Sequence, residues 1–316
     1  MKLRRKTLVV LAVLAGLALA LAVPVLVLLN RPPVLIVADF SFISLYGPLR
    51  VRLETVRSSA VLFQPVKPVV IADDAGDDII QFAVASASPR PFCVIFPLRF
   101  AMAAKLYREQ NPEIPVVLLE GRYPAEGVNP ASFAINSNDT SDYYIYTTDI
   151  QADYYRAGLA AAILDGEKNG RTVVFLDNRI QRQAREAFLE SLKDQEKTMN
   201  TLFYTSISQL SNVSDLSCVV LAGSGVDYLD RNAEIPVIFF TWLNPALLSN
   251  EIILVFDDSP WAQAVPAARM VAAQVMTGQI PSKILILPSE NIDKDVYQKL
   301  KKTTGAEYWP SIFNKE

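Results

Sequence analysis

An α/β protein made of two tandem units, each a doubly wound parallel sheet, behind one amino-terminal hydrophobic helix, is the fold that the sequence predicts. Three observations lead there. From residue 33 onward short β-branched runs alternate with helical patterns, the signature of parallel strands covered on both faces. The alternation runs through two successive series, each of roughly 100 to 120 residues, an ordinary domain size. Thr7 to Leu29 forms a separate run of 23 residues without a charge.

That run follows Lys2, Arg4, Arg5 and Lys6 and precedes Asn30, Arg31 and two prolines. About twenty apolar residues cross a bilayer core of about 30 Å as a helix. The basic flank places the amino terminus in the cytoplasm and everything after residue 30 on the far side. A cleavable signal competes with an uncleaved anchor, because Ala18-Leu19-Ala20 and Ala20-Leu21-Ala22 offer small-residue cleavage sites. The run is longer than a signal core and continues past both sites, which favours the anchor. No cysteine follows it, which argues against a lipoprotein.

The first series places strands at Val34 to Ala38, Pro68 to Ala72, Phe92 to Phe96, Pro115 to Leu119 and Tyr143 to Thr147. Helical stretches fall near Ser44 to Arg57, Asp77 to Ala87 and Arg99 to Gln110. The second opens with a helix from about Gln151 to Asp165. Strands follow at Thr172 to Leu176, Leu202 to Ser206, Cys218 to Ala222 and Pro236 to Phe240, with a helix at Gln181 to Gln195. The chain continues with a strand at Ile252 to Phe256, a long helix from Trp261 to Thr277 stopped by Gly278, and a strand at Ile284 to Leu287. No low-complexity linker separates the halves, so two lobes joined by several crossing strands are expected.

Composition bounds the chemistry. Of 316 residues 51% are hydrophobic and 20% charged, which excludes disorder, and there is no histidine, which excludes His triads, His-ligated zinc and imidazole shuttles. Removing the four basic residues of the amino-terminal flank from the 30 Lys and Arg leaves 26 against 33 Asp and Glu, a charge of −7. A body of that charge has no electrostatic reason to bind nucleic acid. Cys93 and Cys218 each sit in an apolar run and read as two buried thiols. Asp73-Asp74-Ala75-Gly76-Asp77-Asp78 lacks the closing Glu of a calcium loop and reads as a helix start, so no metal or cofactor is expected.

Three segments together resemble the type I periplasmic solute-binding proteins, which include ribose-type sugar binders, basic-membrane-protein nucleoside binders and the ligand domains of lactose-repressor-like regulators. The first is Thr148 to Gly158 with Ala160 to Leu164, where Asp149 precedes a helix rich in small residues. The second is Arg171 to Leu192, with Arg182, Arg185 and Phe188 after a strand, and the third is the return crossover Val255 to Gly278. The resemblance implies a first lobe of residues 33–147 plus 259–282 and a second of 148–258 plus 283–316, after a signal anchor or signal peptide over 1–30. It implies a ligand in the cleft between them, at the carboxyl ends of the strands, with closure by hinge motion.

It also nominates residues, each with a plainer alternative. Phe40 and Phe42, after Asp39, would stack on the ligand, unless one of them caps the core beneath. Arg122, ending Glu120-Gly121-Arg122, would fork hydrogen bonds to hydroxyl oxygens or simply be surface charge. Arg182 would contact ligand at a helix start, or pair with Glu186 on a solvated face. Asp258 would accept hydroxyl hydrogen bonds, with helix capping by Asp258 or Ser259 ahead of Pro260 as the alternative. Gly223-Ser224-Gly225 and Thr241-Trp242-Leu243-Asn244 depart from the sugar binders' amides and carboxylates, and Trp242 favours a flatter, nucleoside-like ligand.

The expected function is therefore an extracytoplasmic, membrane-tethered solute-binding protein, not an enzyme, that takes a small sugar- or nucleoside-like ligand to an ABC-type transporter permease. A ligand-sensing or protein-interaction module of the same fold, with a diverged or lost site, is the alternative. A hydrolase using Asp257 or Asp258 with Glu120 would need two carboxyls roughly 5 to 10 Å apart across a cleft.

Overall fold

Val34–Asp39 (β1) is buried at all six positions, as a strand covered on both faces must be. Its alternation divides the side chains: Val34, Ile36 and Ala38 enter one cluster with Val51, Trp261 and Ala264, while Leu35 and Val37 enter another with Ile80, Val84, Ala103 and Tyr107. The computed structural model describes residue 27 and residues 30–121, 143–166, 171–175, 181–197, 200–204, 216–222, 235–248, 252–289 and 292–309. The amino-terminal run apart from residue 27, Arg122 and residues 223–225 lie outside these.

After β1 come α1 (Phe40–Tyr46), α2 (Pro48–Leu62), β2 (Val66–Ile71), α3 (Asp77–Ala87), β3 (Cys93–Pro97), α4 (Ala101–Gln110), β4 (Val116–Glu120) and β5 (Tyr144–Thr148). Then follow α5 (Ile150–Asp165), β6 (Arg171–Phe175), α6 (Gln181–Asp194), β7 (Asn200–Tyr204), β8 (Leu216–Ala222), β9 (Val237–Phe240) and β10 (Ile252–Asp257). The chain closes with α7 (Pro260–Ala272), β11 (Thr277–Ile280), β12 (Lys283–Ile286), α8 (Lys294–Thr304) and β13 (Glu307–Tyr308).

Two sheets result, ordered β11-β5-β4-β3-β1-β2 and β13-β12-β10-β9-β8-β6-β7. Every pair in the first is parallel. In the second, β12 runs antiparallel to β10, so that sheet is mixed at one side rather than wholly parallel. The antiparallel step arises because β11 leads straight into β12 across the gap between lobes, with no helix to reverse the chain. The chain crosses between sheets at 148–150, 257–260 and 280–283. On the second sheet, α5 and α6 cover one face through Tyr154, Ala157, Ala161, Ala184 and Phe188, and Trp309 packs on the other.

Each expected strand is found within two residues of its expected bounds. Two helices differ. The stretch expected from Ser44 to Arg57 is two helices, broken at Gly47, whose φ of 99° only glycine adopts at low cost. The helix expected to reach Thr277 ends at Ala272, and Gly278 is not its stop but a residue of edge strand β11. Gln274, at φ 57°, makes the turn instead, and pairing of Thr277–Ile280 with β5 holds the tail extended.

Candidate functional site

Parallel strands followed by returning helices bring strand carboxyl ends and helix amino ends to one edge of each sheet. On the first lobe that edge is polar. Asp39, at the end of β1, caps α1 by accepting from the Phe42 N–H at 2.7 Å and pairs with Arg99, which follows β3. Asp73, after β2, accepts from the Ser41 N–H at 2.8 Å and from its hydroxyl at 2.9 Å. Those two bonds, the backbone one foremost, hold its carboxyl below the ordinary value. Glu120 ends β4 half-buried, and the ring of Phe40 stands 60% exposed on the same rim.

Behind the rim the crossing strands are tied side by side. Asp258 accepts from the Thr148 hydroxyl at 3.1 Å, and Gln263 donates to the same hydroxyl at 3.2 Å. The Asp149 N–H donates to the Ile280 carbonyl at 3.0 Å while its carboxylate caps α5 at the Ala152 N–H. Asp153, fully buried, accepts from the Ser282 N–H and hydroxyl, and Arg156 bridges Asp153 to the Ser282 carbonyl. A Cβ at Gly121 would come within 3.2 Å of the Asp258 carbonyl, so the end of β4 also closes on this hinge.

Helix α2 belongs to the first lobe but presents a ladder of ions to the second. Arg50 donates to Asp257 at 2.6 Å with both side chains buried, and also reaches the carbonyls of Trp242 and Leu243 at 3.3 and 3.2 Å. Its guanidinium lies 3.9 Å from the Tyr46 ring centre and 5.1 Å from that of Trp309. The Tyr46 hydroxyl donates to Asp257 at 3.2 Å, and burial pushes it far above its ordinary value, so it remains a protonated donor. One turn on, Glu54 pairs with Lys283, and at the next Arg57 pairs with Glu307 through both its terminal nitrogens. Asn244 completes the seam, donating to the Leu45 carbonyl at 2.9 Å.

The structure treats the nominated residues differently. Phe42 and Trp242 come together, their rings 4.7 Å apart, in one stack with Tyr46 and Trp261. Asp258 lies at the hinge, and the capping alternative falls to Ser259, which accepts from the Ala262 N–H. Arg182 is 89% exposed and paired with Glu186 at 2.9 Å, beside a groove of about 320 Å³ between α5 and α6. Arg122 lies outside the described residues. Asp39, Asp73 and Arg99 on the rim, and Arg50 at the seam, were not nominated by the sequence. Their one signal was position: Asp39 ends a strand, and Asp73 and Arg99 each fall two residues after one. Arg50 sits in a helix, where an arginine in an i, i+4, i+7 charge series looks like any solvated face.

These features define a two-lobed α/β protein with the fold of the type I periplasmic binding proteins. Neither a protein-family model nor a curated protein matches the sequence. The chain is similar to a crystal structure of a transcriptional activator of the comK gene from Bacillus halodurans. The TM-score is 0.53 at 12% identity, over 87% of this chain and 96% of that one. It is also similar to an ABC transporter periplasmic solute-binding protein from Actinobacillus succinogenes 130z with bound D-allose, at a TM-score of 0.45, 12% identity and coverage of 85% and 99%. A XylFII-LytSN complex mutant gives 0.49 at 14% identity, covering 80% and 97%. The Bacillus likeness carries the fold and nothing finer.

Proposed function

We propose that the protein is an extracytoplasmic binding protein, tethered by its amino-terminal run, that captures a small sugar- or nucleoside-like ligand between its lobes and passes it to an ABC-type permease without chemistry of its own. The observation that carries this is the rim: Asp39, Ser41, Asp73, Arg99 and Glu120 gather at the carboxyl ends of four adjacent strands, beside the exposed ring of Phe40. Carboxylates and a guanidinium around an aromatic face suit a ligand that offers hydroxyls on a flat or ring-shaped body. Among the described residues no helix is long and apolar enough to cross a membrane, and the tether rests on residues 7–29, all but Val27 of which lie outside them. Asp258 and Trp242 belong to this reading as the hinge-side wall, and Phe42 as their support.

The test is a thermal-shift and native mass-spectrometry screen of the purified protein against sugars and nucleosides. A ligand that binds only the folded state stabilises it by about 2.7 kcal/mol at a hundredfold excess over its dissociation constant. A shift abolished by Arg99→Ala supports capture at the rim. Silence across the panel favours the second reading, an interaction module whose cleft is closed by its own side chains. The 4.7 Å contact between Phe42 and Trp242 speaks for that one, because it joins the two lobes where a ring could otherwise slide between them.

A further inference from the structure

We propose that the base of the first lobe, the end opposite the cleft, is a membrane-seating surface for an anionic bilayer. The inference rests on the tethered reading above and adds a stance to it. Only residues 30–33 separate the apolar run from β1, and they are fastened to the base. Arg31 donates to the Phe63 carbonyl at 3.1 Å and lies 4.8 Å from the Phe63 ring centre, Gln64 donates to the Pro32 carbonyl at 2.6 Å, and the Phe92 N–H donates to the Pro33 carbonyl at 2.8 Å. Four residues span at most about 14 Å. The end of the lobe that holds Phe63 therefore lies within that distance of the anchor's exit from the lipid.

What this end exposes fits an interface. Val61 and Phe63, at the end of α2, and Val275, just before β11, are 49%, 41% and 41% exposed. Among the described residues at the same end of the strands and helices, Arg31, Lys67, Arg90 and Arg269 are exposed, against Glu109 and Glu113. Among the described residues this balance is positive, on a body whose overall charge beyond residue 30 is negative, while Asp39, Asp73, Asp74, Asp77, Asp78 and Glu120 lie at the other end. Helix dipoles favour this polarity in any doubly wound lobe. The apolar ring of Phe63 beside Arg31, at the point where the chain leaves for the anchor, is what dipoles alone do not explain. Aromatic and basic side chains sit favourably at headgroup level beside anionic lipid.

The full-length chain can be tested in vesicles of equal parts phosphatidylcholine and phosphatidylglycerol. Both native cysteines are 0% exposed, so a thiol dye reports an introduced one. The variants are Phe63→Cys and Val61→Cys at the base and Leu189→Cys on the second lobe. Quenching by headgroup spin-labelled lipid should be at least about twofold greater at both base positions than at Leu189→Cys, because an interfacial group lies within about 5–10 Å of the headgroups. Co-flotation with equal quenching at all three positions overturns the seating surface and leaves the tether standing. Failure to co-float overturns the tether, and the seating surface falls with it.

Discussion

Arg50 is the residue on which the seam between the lobes depends. It is 2% exposed, its partner Asp257 is 0% exposed, and its remaining bonds go to backbone carbonyls of the other lobe. Removing one member of such a pair leaves the other charge buried and uncompensated, a loss of about 3–5 kcal/mol. Arg50→Ala should lower the urea midpoint accordingly, and Asp257→Leu should do the same, whereas Arg182→Ala at an exposed pair should leave it unchanged. The two thiols give a second expectation at this scale. Burial pushes Cys93 up to about 12 and Cys218 higher still, so neither forms thiolate at neutral pH. A thiol reagent at pH 8 should react with neither until the protein is unfolded, when both react. Of the candidate site, the residues beside strand ends were within reach of sequence reading, because topology fixes where such ends go. Arg50 was not, since local spacing cannot distinguish a guanidinium facing water from one facing a second lobe.

At the scale of elements, central strands such as β1, β3 and β10 were legible because a run of β-branched residues buried on both faces leaves no polar alternation to misread. The boundaries that eluded sequence are those set by partners far along the chain: β11 exists only because β5 offers it an edge, and α1 ends where Asn244 packs against Gly47. Close approach also decides the fate of Gly158 in α5. A Cβ there would meet the Ser191 hydroxyl at 1.9 Å and the Phe188 carbonyl at 2.9 Å, and the carbonyl belongs to the backbone of α6. Gly158→Ala should cost roughly 1–3 kcal/mol through overpacking despite alanine's better helix propensity, measured by urea unfolding. The α2 ladder has an acid limit. Arg57 and then Lys283 hold Glu307 below its ordinary value of 4.5, so its contribution is complete above 4.5 and is lost as pH falls through the lower folded value. Stability should therefore drop with a step in that acid window, and Arg57→Gln should flatten the step.

For the whole molecule, the described residues join the two sheets through the three crossings, the aromatic stack of Phe42 and Trp242, the charge ladder and the Asn244–Leu45 bond, so lobe separation is a property of few contacts. Releasing the two outer rungs of the ladder by Arg57→Gln with Lys283→Gln should loosen the lobes without unfolding either core. Small-angle scattering should then register a rise of about 1 Å on the ~20 Å radius of gyration expected for a chain of this length. Helix α2 touches both ends of the first lobe. Its early turns carry Arg50 and Glu54 to the second lobe, and its last residue leads into Phe63, against which Arg31 is fastened. Fifteen residues of helix make a rod of about 22 Å. In the proposed tethered stance, a tilt of the second lobe would pull on one end of that rod while the other end rests beside Arg31, so the helix would act as a lever from the cleft's hinge toward the bilayer.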